Sequence, residues 1–574
     1  MSTSPRHIAL VCAPAGSGFK QAVARLRTLL SAELGETAVA CEDVEDVFCE
    51  SGATATALKG LVTAGTRVTM KEVTWHLTRT DVTRLWRSAL SDTIARLCRA
   101  EKAKIRLLAC HLNLYGGRRG ESYSPFDLNA LRDVKVSHLL LFIDDIFDMY
   151  ARLSTEGHLY DQQAHVARYI TRMKDDEALQ PSSVFDSATT QDLALEWKTQ
   201  VLASLLGWRH AEMILAESLA SQLDAHYLVF GTKQLGTAVT RWLRDREGNS
   251  VYLSHPISRP RRVQQRTGAW PEVVAQFNGL QELLVEERVT AIMPTAIDEY
   301  RFKRATKPTD LELTPRLTSL ATRWPIPVDA SRTLYESGSP EAPELSSLFT
   351  SDVMEDGPHW SPWIRTLESQ ITAEVPFRDH HLVVCNHSIL IFRPCYEAGR
   401  FSDGVKAEVG HWAELLKSTG RARRRAVFLH FHEDVQQVLS VLDPSLEQLS
   451  AKTLIRELVA QGYSDEVAGE LAKAVLQDSA PTLLDAGHDP TDVKRARELF
   501  DVVHRKAIGN ALTLDQIDEE AVALWIVRDY ADLVDKLPAI GAFLRFEPNC
   551  SPTKWWDLVE ALLSLRAGSH SAKE

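Results

Sequence analysis

The stretch ILIFRPCYEAGRFSDGVKAEVGHW, residues 389–412, decides the fold class of the region around it. An apolar run ends at Pro394, a loop of small and polar residues follows, and Glu408 falls just inside a predicted helix. Such continuous apolar runs are typical of strands buried on both faces of a parallel sheet. Because ligands of these sheets bind beyond the carboxyl ends of the strands, Glu408 is predicted to lie at a ligand site.

Similar apolar runs on both sides of this stretch predict two parallel sheets. The first set alternates with helical segments and comprises HIALVCAP (7–14), IRLLACHLNL (105–114), VSHLLLFIDDIFD (136–148) and HYLVFGTKQ (226–234). The second set comprises SVYLSH (250–255), RVTAIMPT (288–295), HSILIFRP (387–394) and RAVFLHF (425–431). We therefore expect an α/β protein with two Rossmann-like domains, residues 1–248 and 249–435, followed by a helical C-terminal region, residues 436–574.

The overall composition sets the class of protein. A chain of 574 residues exceeds one ordinary hydrophobic core, and 44% apolar with 25% charged residues is typical of a globular protein. A net charge of −12 argues against broad nucleic-acid binding. The eight cysteines form no CxxC pair, and neither a signal peptide nor a long apolar run is present, so we expect a cytoplasmic protein without membrane contact.

Glu408 has an ordinary structural alternative. A glutamate of a capping box lies three residues after the N-cap, and with Ser402 or Asp403 as N-cap that position is Val405 or Lys406. A capping role is therefore excluded, whereas a solvent-facing helix residue stays open. Because helical side chains lean toward the N-terminus, Glu408 would lean toward the strand ends, and Gly404 would leave a ligand room to approach the backbone.

The segment SDGVKAEVG, residues 402–410, resembles the S-x-G-x-x-x-E-x-G signature of the nucleoside 2-deoxyribosyltransferase superfamily, which includes the 2'-deoxynucleoside 5'-phosphate N-hydrolases. VYLSHPISRPRR, residues 251–262, is similar to the opening strand and polar loop of that superfamily. RDHHLVVCNHSILIFRP, residues 378–394, is similar to its acid followed by an apolar strand. The resemblance covers residues 250–435 and implies a deoxyribosyltransferase-like domain.

The resemblance also implies roles for single residues. Glu408 matches the carboxylate that attacks C1' or stabilises an oxocarbenium-like species, Asp379 matches the acid that assists departure of the base, and Tyr252 matches the tyrosine that positions the carboxylate or the sugar. No cofactor is expected for this cleavage. The predicted substrate-binding residues are Ser254, Ser258, Arg259, Arg393, Ser402, Asp403 and Gly404. A surface ion pair is the alternative for each arginine.

The segment APAGSGFKQA, residues 13–22, lies between a strand and a helix and resembles a degraded P-loop. Compared with G-x-x-x-x-G-K-[ST], Ala13 replaces the first glycine, Phe19 precedes the lysine, and Gln21 replaces the hydroxyl residue that holds magnesium. An active loop would take ATP with magnesium; the alternative is a strand-to-helix turn that binds nothing. The implied nucleotide-binding residues are Gly16, Ser17, Gly18, Lys20, Asp144 and Asp145.

The resulting functional hypothesis is an N-glycosidase or N-ribosyl transferase that acts on a nucleoside, a nucleotide or NAD. The resemblance also implies a homo-oligomer, and the coupling of a nucleotide-cleaving domain to a P-loop-like sensor domain suggests a regulated effector, for example in bacterial antiphage defence. Two alternatives stay open, namely a P-loop nucleotide kinase or NTPase and a non-catalytic nucleotide-binding sensor.

Overall fold

A computed structural model of the protein describes residues 7–62, 68–116, 121–131, 134–155, 187–245, 249–257, 270–297, 299, 332–334, 362–394, 402–419, 424–431, 452, 454–476, 491–492, 495–496, 499, 521–545, 547 and 553–554. The chain forms two compact units. The first contains Met1–Ser250 and Val274–Asn386, and the second contains Val251–Val273 and His387–Glu574.

The first unit is built on a parallel sheet. Its strands and main helices, in chain order, are β1 (His7–Cys12), α1 (Phe19–Leu34), β2 (Val39–Asp43), α2 (Val44–Glu50), α3 (Gly52–Ala57), α4 (Met70–His76), α5 (Arg79–Arg99), β3 (Ile105–Cys110), β4 (Leu114–Gly116), β5 (Glu121–Tyr123), β6 (Lys135–Ile143), α6 (Ile146–Thr155), α7 (Ser187–Leu223), β7 (His226–Gly231) and α8 (Gly236–Arg244). The order in the sheet is β2-β3-β1-β6-β7, and all its pairs are parallel. β4 and β5 pair separately as an antiparallel ribbon.

The centre of this sheet is β1, whose apolar sequence explains its position. Ile8, Leu10 and Val11 are fully buried, as expected for a strand covered on both faces. Burying each such side chain stabilises the fold by roughly 1.5–3 kcal/mol. Cys12 pairs with Cys110 of β3 and with Leu141 of β6, so the carboxyl ends of these three strands lie at one edge.

The later part of the chain adds elements to both units. The first unit gains α9 (Trp270–Glu286), most of which follows Val274, then β9 (Ala291–Ile292) and α10 (Pro362–Val384). The second unit contains β8 (Val251–Ser254), β10 (Ser388–Phe392), α11 (Asp403–Thr419), β11 (Arg425–Phe431), α12 (Asp465–Leu476), β12 (Val522–Val527), α13 (Tyr530–Leu544) and β13 (Thr553–Lys554). Its strands follow the order β13-β12-β11-β10-β8, with every pair parallel except that of β12 with β13.

The prediction of an α/β chain with two largely parallel sheets is confirmed, but the expectation of a purely helical C-terminal region is wrong. β12, with the sequence VALWIV, pairs along its whole length with β11. A short apolar run does not distinguish a central strand from a buried helix, because neither shows polar alternation.

The division of the chain also differs from the predicted domains. Residues 274–386, expected in the central domain 249–435, group with the first unit, and residues 436–574 group with the second. Of the predicted strand at 288–295, only Ala291–Ile292 is a strand. Among the helices of the described residues, none combines the length and apolar character that crossing a bilayer requires.

Candidate functional site

The candidate active site of the second unit begins on β8. Tyr252 and Ser254 lie two residues apart on this strand, so their side chains project from the same face. Both are fully buried. β8 pairs with β10 up to the register Ser254–Ile391, which places the two hydroxyls near the carboxyl edge of the sheet.

Glu408 meets these two hydroxyls from α11. The Tyr252 hydroxyl donates a hydrogen bond of 2.7 Å to Oε1, and the Ser254 hydroxyl donates one to Oε2. Only 6% of Glu408 is exposed. Each carboxylate oxygen therefore accepts a hydrogen bond from a neutral donor, and the two bonds fix the plane of the carboxylate. A buried and oriented carboxylate of this kind can act as a nucleophile or stabilise a developing cation.

The start of α11 explains how a helix residue reaches the strands. The Ser402 N–H donates to the carbonyl oxygen of Pro394 at 3.3 Å, which returns the chain to the end of β10. The Lys406 N–H then donates to the Ser402 carbonyl oxygen at 2.9 Å in the first turn. Ser402 is half-buried and Gly404 is exposed. Asp403 is the first residue of the helix.

Arg393 lies directly after β10 in a strained backbone conformation. Its φ of 48° is in the left-handed region, which is uncommon for a residue other than glycine. The Arg393 N–H donates to the carbonyl oxygen of Leu429 at 2.8 Å, and its guanidinium lies 4.9 Å from the centroid of the Phe431 ring. Its substrate-binding role stays a prediction. Ser258 and Arg259 lie outside the described residues.

Asp379 is not on the second unit. It lies on α10, which belongs to the first unit, and its Oδ1 accepts hydrogen bonds from Arg378 at 3.0 Å (Nε) and 2.8 Å (Nη2). Arg378 also bonds to Glu299 and to the carbonyl oxygen of Ile297. The predicted role of Asp379 as the acid that assists the leaving base stays a prediction.

A second cluster occupies the carboxyl edge of the first sheet. Asp144 and Asp145 directly follow β6, and Lys233 lies just beyond the end of β7. The Lys233 ammonium lies 2.8 Å from Asp144 Oδ1 and 2.8 Å from Asp145 Oδ2, and it also donates to Asp148. The three carboxylates are fully buried, and 5% of the Lys233 side chain is exposed.

Arg152, two turns into α6, joins this cluster to the glycine loop. Its guanidinium lies 2.7 Å from Asp144 Oδ2 and donates to the carbonyl oxygen of Gly16 at 2.8 Å. Burial alone would raise the pKa of Asp144, but the positive charges of Lys233 and Arg152 hold that pKa below its usual value. Asp144 is therefore ionised.

The glycine loop itself is tightly packed. Gly16 and Gly18 have φ angles of 82° and 70°, which favour glycine. A Cβ at position 16 would lie 2.8 Å from Leu153, so glycine is required there on two counts. The Ser17 hydroxyl is buried and donates to the carbonyl oxygen of Pro14 at 2.6 Å.

Lys20, the lysine of the predicted phosphate loop, forms ion pairs with α2. Its ammonium lies 2.8 Å from Glu45 and 2.9 Å from Asp46. Burial would lower the pKa of Lys20, but these acids raise it. The side chains of Ser17 and Lys20 both bond to protein atoms. The nucleotide-binding role of Gly16, Ser17, Gly18 and Lys20 stays a prediction.

Two further titratable groups, His111 and Glu212, are buried at this edge. His111 bonds to the carbonyl oxygen of Ala13 and lies 3.5 Å from Glu45. Burial would lower the pKa of His111, but Glu45 outweighs it and raises the pKa to about 9. Burial raises the pKa of Glu212 to about 8, although this carboxyl group accepts a hydrogen bond from the Leu112 N–H at 2.8 Å.

Lys233 and Arg152 are the site residues that sequence reasoning missed. Lys233 follows the apolar run of β7, so the rule that ligands bind beyond the carboxyl ends of parallel strands applies to it. Arg152 lies in the helix that follows Asp145, and its contact with a loop 136 residues earlier has no local sequence signal. A search against protein-family models and a search of curated proteins found no match for the chain.

Proposed function

We propose that the second unit cleaves, or transfers across, the N-glycosidic bond of a nucleoside, a nucleotide or NAD, with Glu408 acting at C1'. The observation that carries this proposal is the buried carboxylate of Glu408 held by the hydroxyls of Tyr252 and Ser254. Its position beyond the carboxyl end of β8 is the usual place for a ligand of a parallel sheet. The resemblance of residues 402–410 to the deoxyribosyltransferase signature gives the reaction class.

The chemistry needs a carboxylate that stays ionised. Departure of the base leaves positive charge at C1' and moves negative charge onto the base, so the group that faces C1' must be an anion. Two hydroxyl donors suit this task, because they favour the ionised form and supply no competing positive charge. They also limit rotation of the carboxylate, which reduces the entropy lost on reaching the reactive geometry.

The acceptor of the ribosyl group defines two versions of this reaction. Attack by water would make the protein a hydrolase, whereas attack by a second base would make it a transferase. Adding a second free base to the assay separates them, because only a transferase forms a new nucleoside. Self-association and a role as a regulated effector belong to the same proposal, and analytical ultracentrifugation tests the first of these.

The decisive experiment measures release of free base from a panel of nucleosides, deoxynucleotides, nucleotides and NAD. We expect Glu408→Gln to lower the rate by about 10³-fold or more, as for loss of a nucleophile. Glu414→Gln is the matched control, since Glu414 lies on the same helix and is exposed. Equal rates in wild type and Glu408→Gln would contradict the proposal. Equal binding of a substrate without cleavage in either protein would favour the sensor alternative.

A further inference from the structure

The buried ammonium of Lys233 occupies the centre of an acidic cluster in the first unit. Asp144, Asp145 and Asp148 each offer a carboxylate oxygen, and these oxygens lie within 4.8 Å of one another. Carboxylate oxygens are ligands of magnesium in phosphoryl-transfer proteins, where one or two of them bind the ion together with water and substrate phosphates. The cluster also lies at the strand edge where the P-loop resemblance places a magnesium ion.

The donor set does not fit a divalent cation in this arrangement. Lys233 donates to all three carboxylates, and two of these contacts measure 2.8 Å. An ammonium ion among three carboxylates satisfies the lone pairs that would bind the metal, and its charge repels a second cation. The three aspartates and Lys233 are buried, so solvent screens this repulsion poorly.

At the glycine loop, Arg152 is a second cationic side chain in the place where a ligand would bind. A phosphate-binding loop offers backbone N–H groups to an anion, whereas here the carbonyl oxygen of Gly16 accepts a hydrogen bond from a guanidinium. The same guanidinium contacts Asp144. Lys20, the residue that would reach a phosphate, is paired with Glu45 and Asp46. Cationic side chains of the protein therefore lie at both the metal position and the loop.

We propose that Lys233 is a built-in substitute for the divalent cation, so that the first unit takes up no magnesium at this edge and is no phosphoryl-transfer enzyme. The ammonium instead ties the end of β7 to the start of α6. This inference concerns the first unit and is independent of glycosidic cleavage.

The test is Mn²⁺ binding to the full chain, followed by electron paramagnetic resonance. We expect the wild type to have no saturable Mn²⁺ site that depends on Asp145. Below about 1 mM Mn²⁺, wild type and Asp145→Asn should therefore bind the ion equally weakly. Lys233→Met keeps the side-chain volume and removes the charge, and we expect it to bind one Mn²⁺ ion per chain. Adding Asp145→Asn to Lys233→Met should remove this binding. Lys104→Met, at an exposed lysine of the same unit, is the control and should behave as wild type.

Two results would overturn the proposal. One is wild-type binding of Mn²⁺ that disappears in Asp145→Asn, since Lys233 would then not exclude the metal. The other is a folded Lys233→Met protein that binds no Mn²⁺, since the carboxylates would then not form a cation site. If Lys233→Met does not fold, the wild-type measurement decides, and Lys233→Arg, which keeps the charge, should fold and bind no metal.

Discussion

The hydroxyl of Tyr252 donates a hydrogen bond of 2.7 Å to Glu408 Oε1, joining two residues 156 positions apart in the chain. A tyrosine on the first strand of the unit thus positions a carboxylate carried by a helix. Tyr252 is fully buried, so its hydroxyl is directed at the carboxylate without competition from bulk water. This pair provides the most direct test of the candidate active site.

Replacing Tyr252 with Phe should reduce catalysis more than binding. The change removes one hydrogen bond to a charged group, which contributes about 1.5–3 kcal/mol, and the expected loss in kcat is therefore about 10- to 160-fold. Steady-state base release measures it. Ser254→Ala should give a loss of similar size, because its hydroxyl bonds to the other carboxylate oxygen. An unchanged kcat in both variants would mean that Glu408 needs no positioning for its task.

Gly404→Ala should separate stability from activity. The backbone of Gly404 is helical, and an added Cβ would meet only the Ser402 hydroxyl, at an ordinary distance of 3.7 Å. Alanine should therefore stabilise α11 by about 0.5–1 kcal/mol. If a ligand approaches this backbone, KM should rise although the protein is more stable. Urea unfolding and steady-state kinetics on one preparation check both effects, and an unchanged KM would place the ligand elsewhere.

Gly16→Ala should instead destabilise the first unit. The left-handed φ of 82° costs about 1–2 kcal/mol for alanine, and the new Cβ would clash with Leu153. Amide hydrogen exchange of residues 13–30 should become faster as the loop and α1 loosen. The comparison with Gly404→Ala controls for the change of residue type. Unaltered exchange would show that the loop relaxes at no cost.

Lys233→Met should destabilise the first unit far more than Lys20→Met. Removing one partner of a buried ion cluster costs about 3–5 kcal/mol, because the remaining charges stay buried. The Lys20 side chain is 48% exposed, and an exposed pair is worth about 0–1 kcal/mol. Hydrogen exchange of residues 136–155 should therefore rise strongly in the first variant only. Similar exchange in the Lys233→Met and Lys20→Met proteins would show that the buried aspartates become protonated and neutral when Lys233 is removed.

Stability of the first unit should fall as the pH rises from 6.5 to 9. The folded-state pKa of His111 is raised to about 9, so its contribution is complete below pH 6.5 and is lost as the pH rises through 9. The pKa of Glu212 is raised to about 8, so the folded state retains a proton that the unfolded chain loses above pH 4.5. Both groups therefore lower stability with rising pH.

Thermal unfolding at several pH values measures this dependence. Glu212→Gln, whose side chain has no proton to lose, should flatten the dependence between pH 4.5 and 8. It should reduce the His111 contribution without removing it, because Glu45 raises the pKa of His111 more than Glu212 does. At the acidic end, Glu45 acts in the opposite direction: burial would raise its pKa, but His111 and Lys20 lower it to about 2. Its contribution is present above pH 4.5 and is lost as the pH falls through 2. A midpoint independent of pH between 6.5 and 9 would contradict the prediction.

The sequence allowed the strands and the catalytic candidate to be predicted because both depend on local signals. The runs of β1, β6 and β10 are apolar with little polar alternation, which predicts strands buried on both faces of a parallel sheet. A polar residue beyond the end of such a run lies at the ligand edge by geometry, and Glu408 was predicted in this way, whereas Asp144 was predicted from the P-loop resemblance. These inferences need no knowledge of distant contacts.

The remaining features depend on contacts that no local pattern encodes. β12 was missed because a six-residue apolar run fits a buried helix equally well. The grouping of residues 274–386 with the first unit depends on packing such as that of α10 against α7, which is decided only when both helices are formed. The role of Lys233 was missed because its three partners lie 85 residues or more away.

The return of the chain to the second unit has a consequence for how the protein is made. The chain enters this unit at Val251, leaves it after Val273, and comes back only at His387. Tyr252 and Ser254 therefore leave the ribosome long before their partner, 154 residues ahead of Glu408 in the case of Ser254. At the usual pace of synthesis this delay is roughly 8–30 s. During that interval the nascent chain carries the two hydroxyls without Glu408, so the proposed site forms only after the helix that carries this carboxylate has been made.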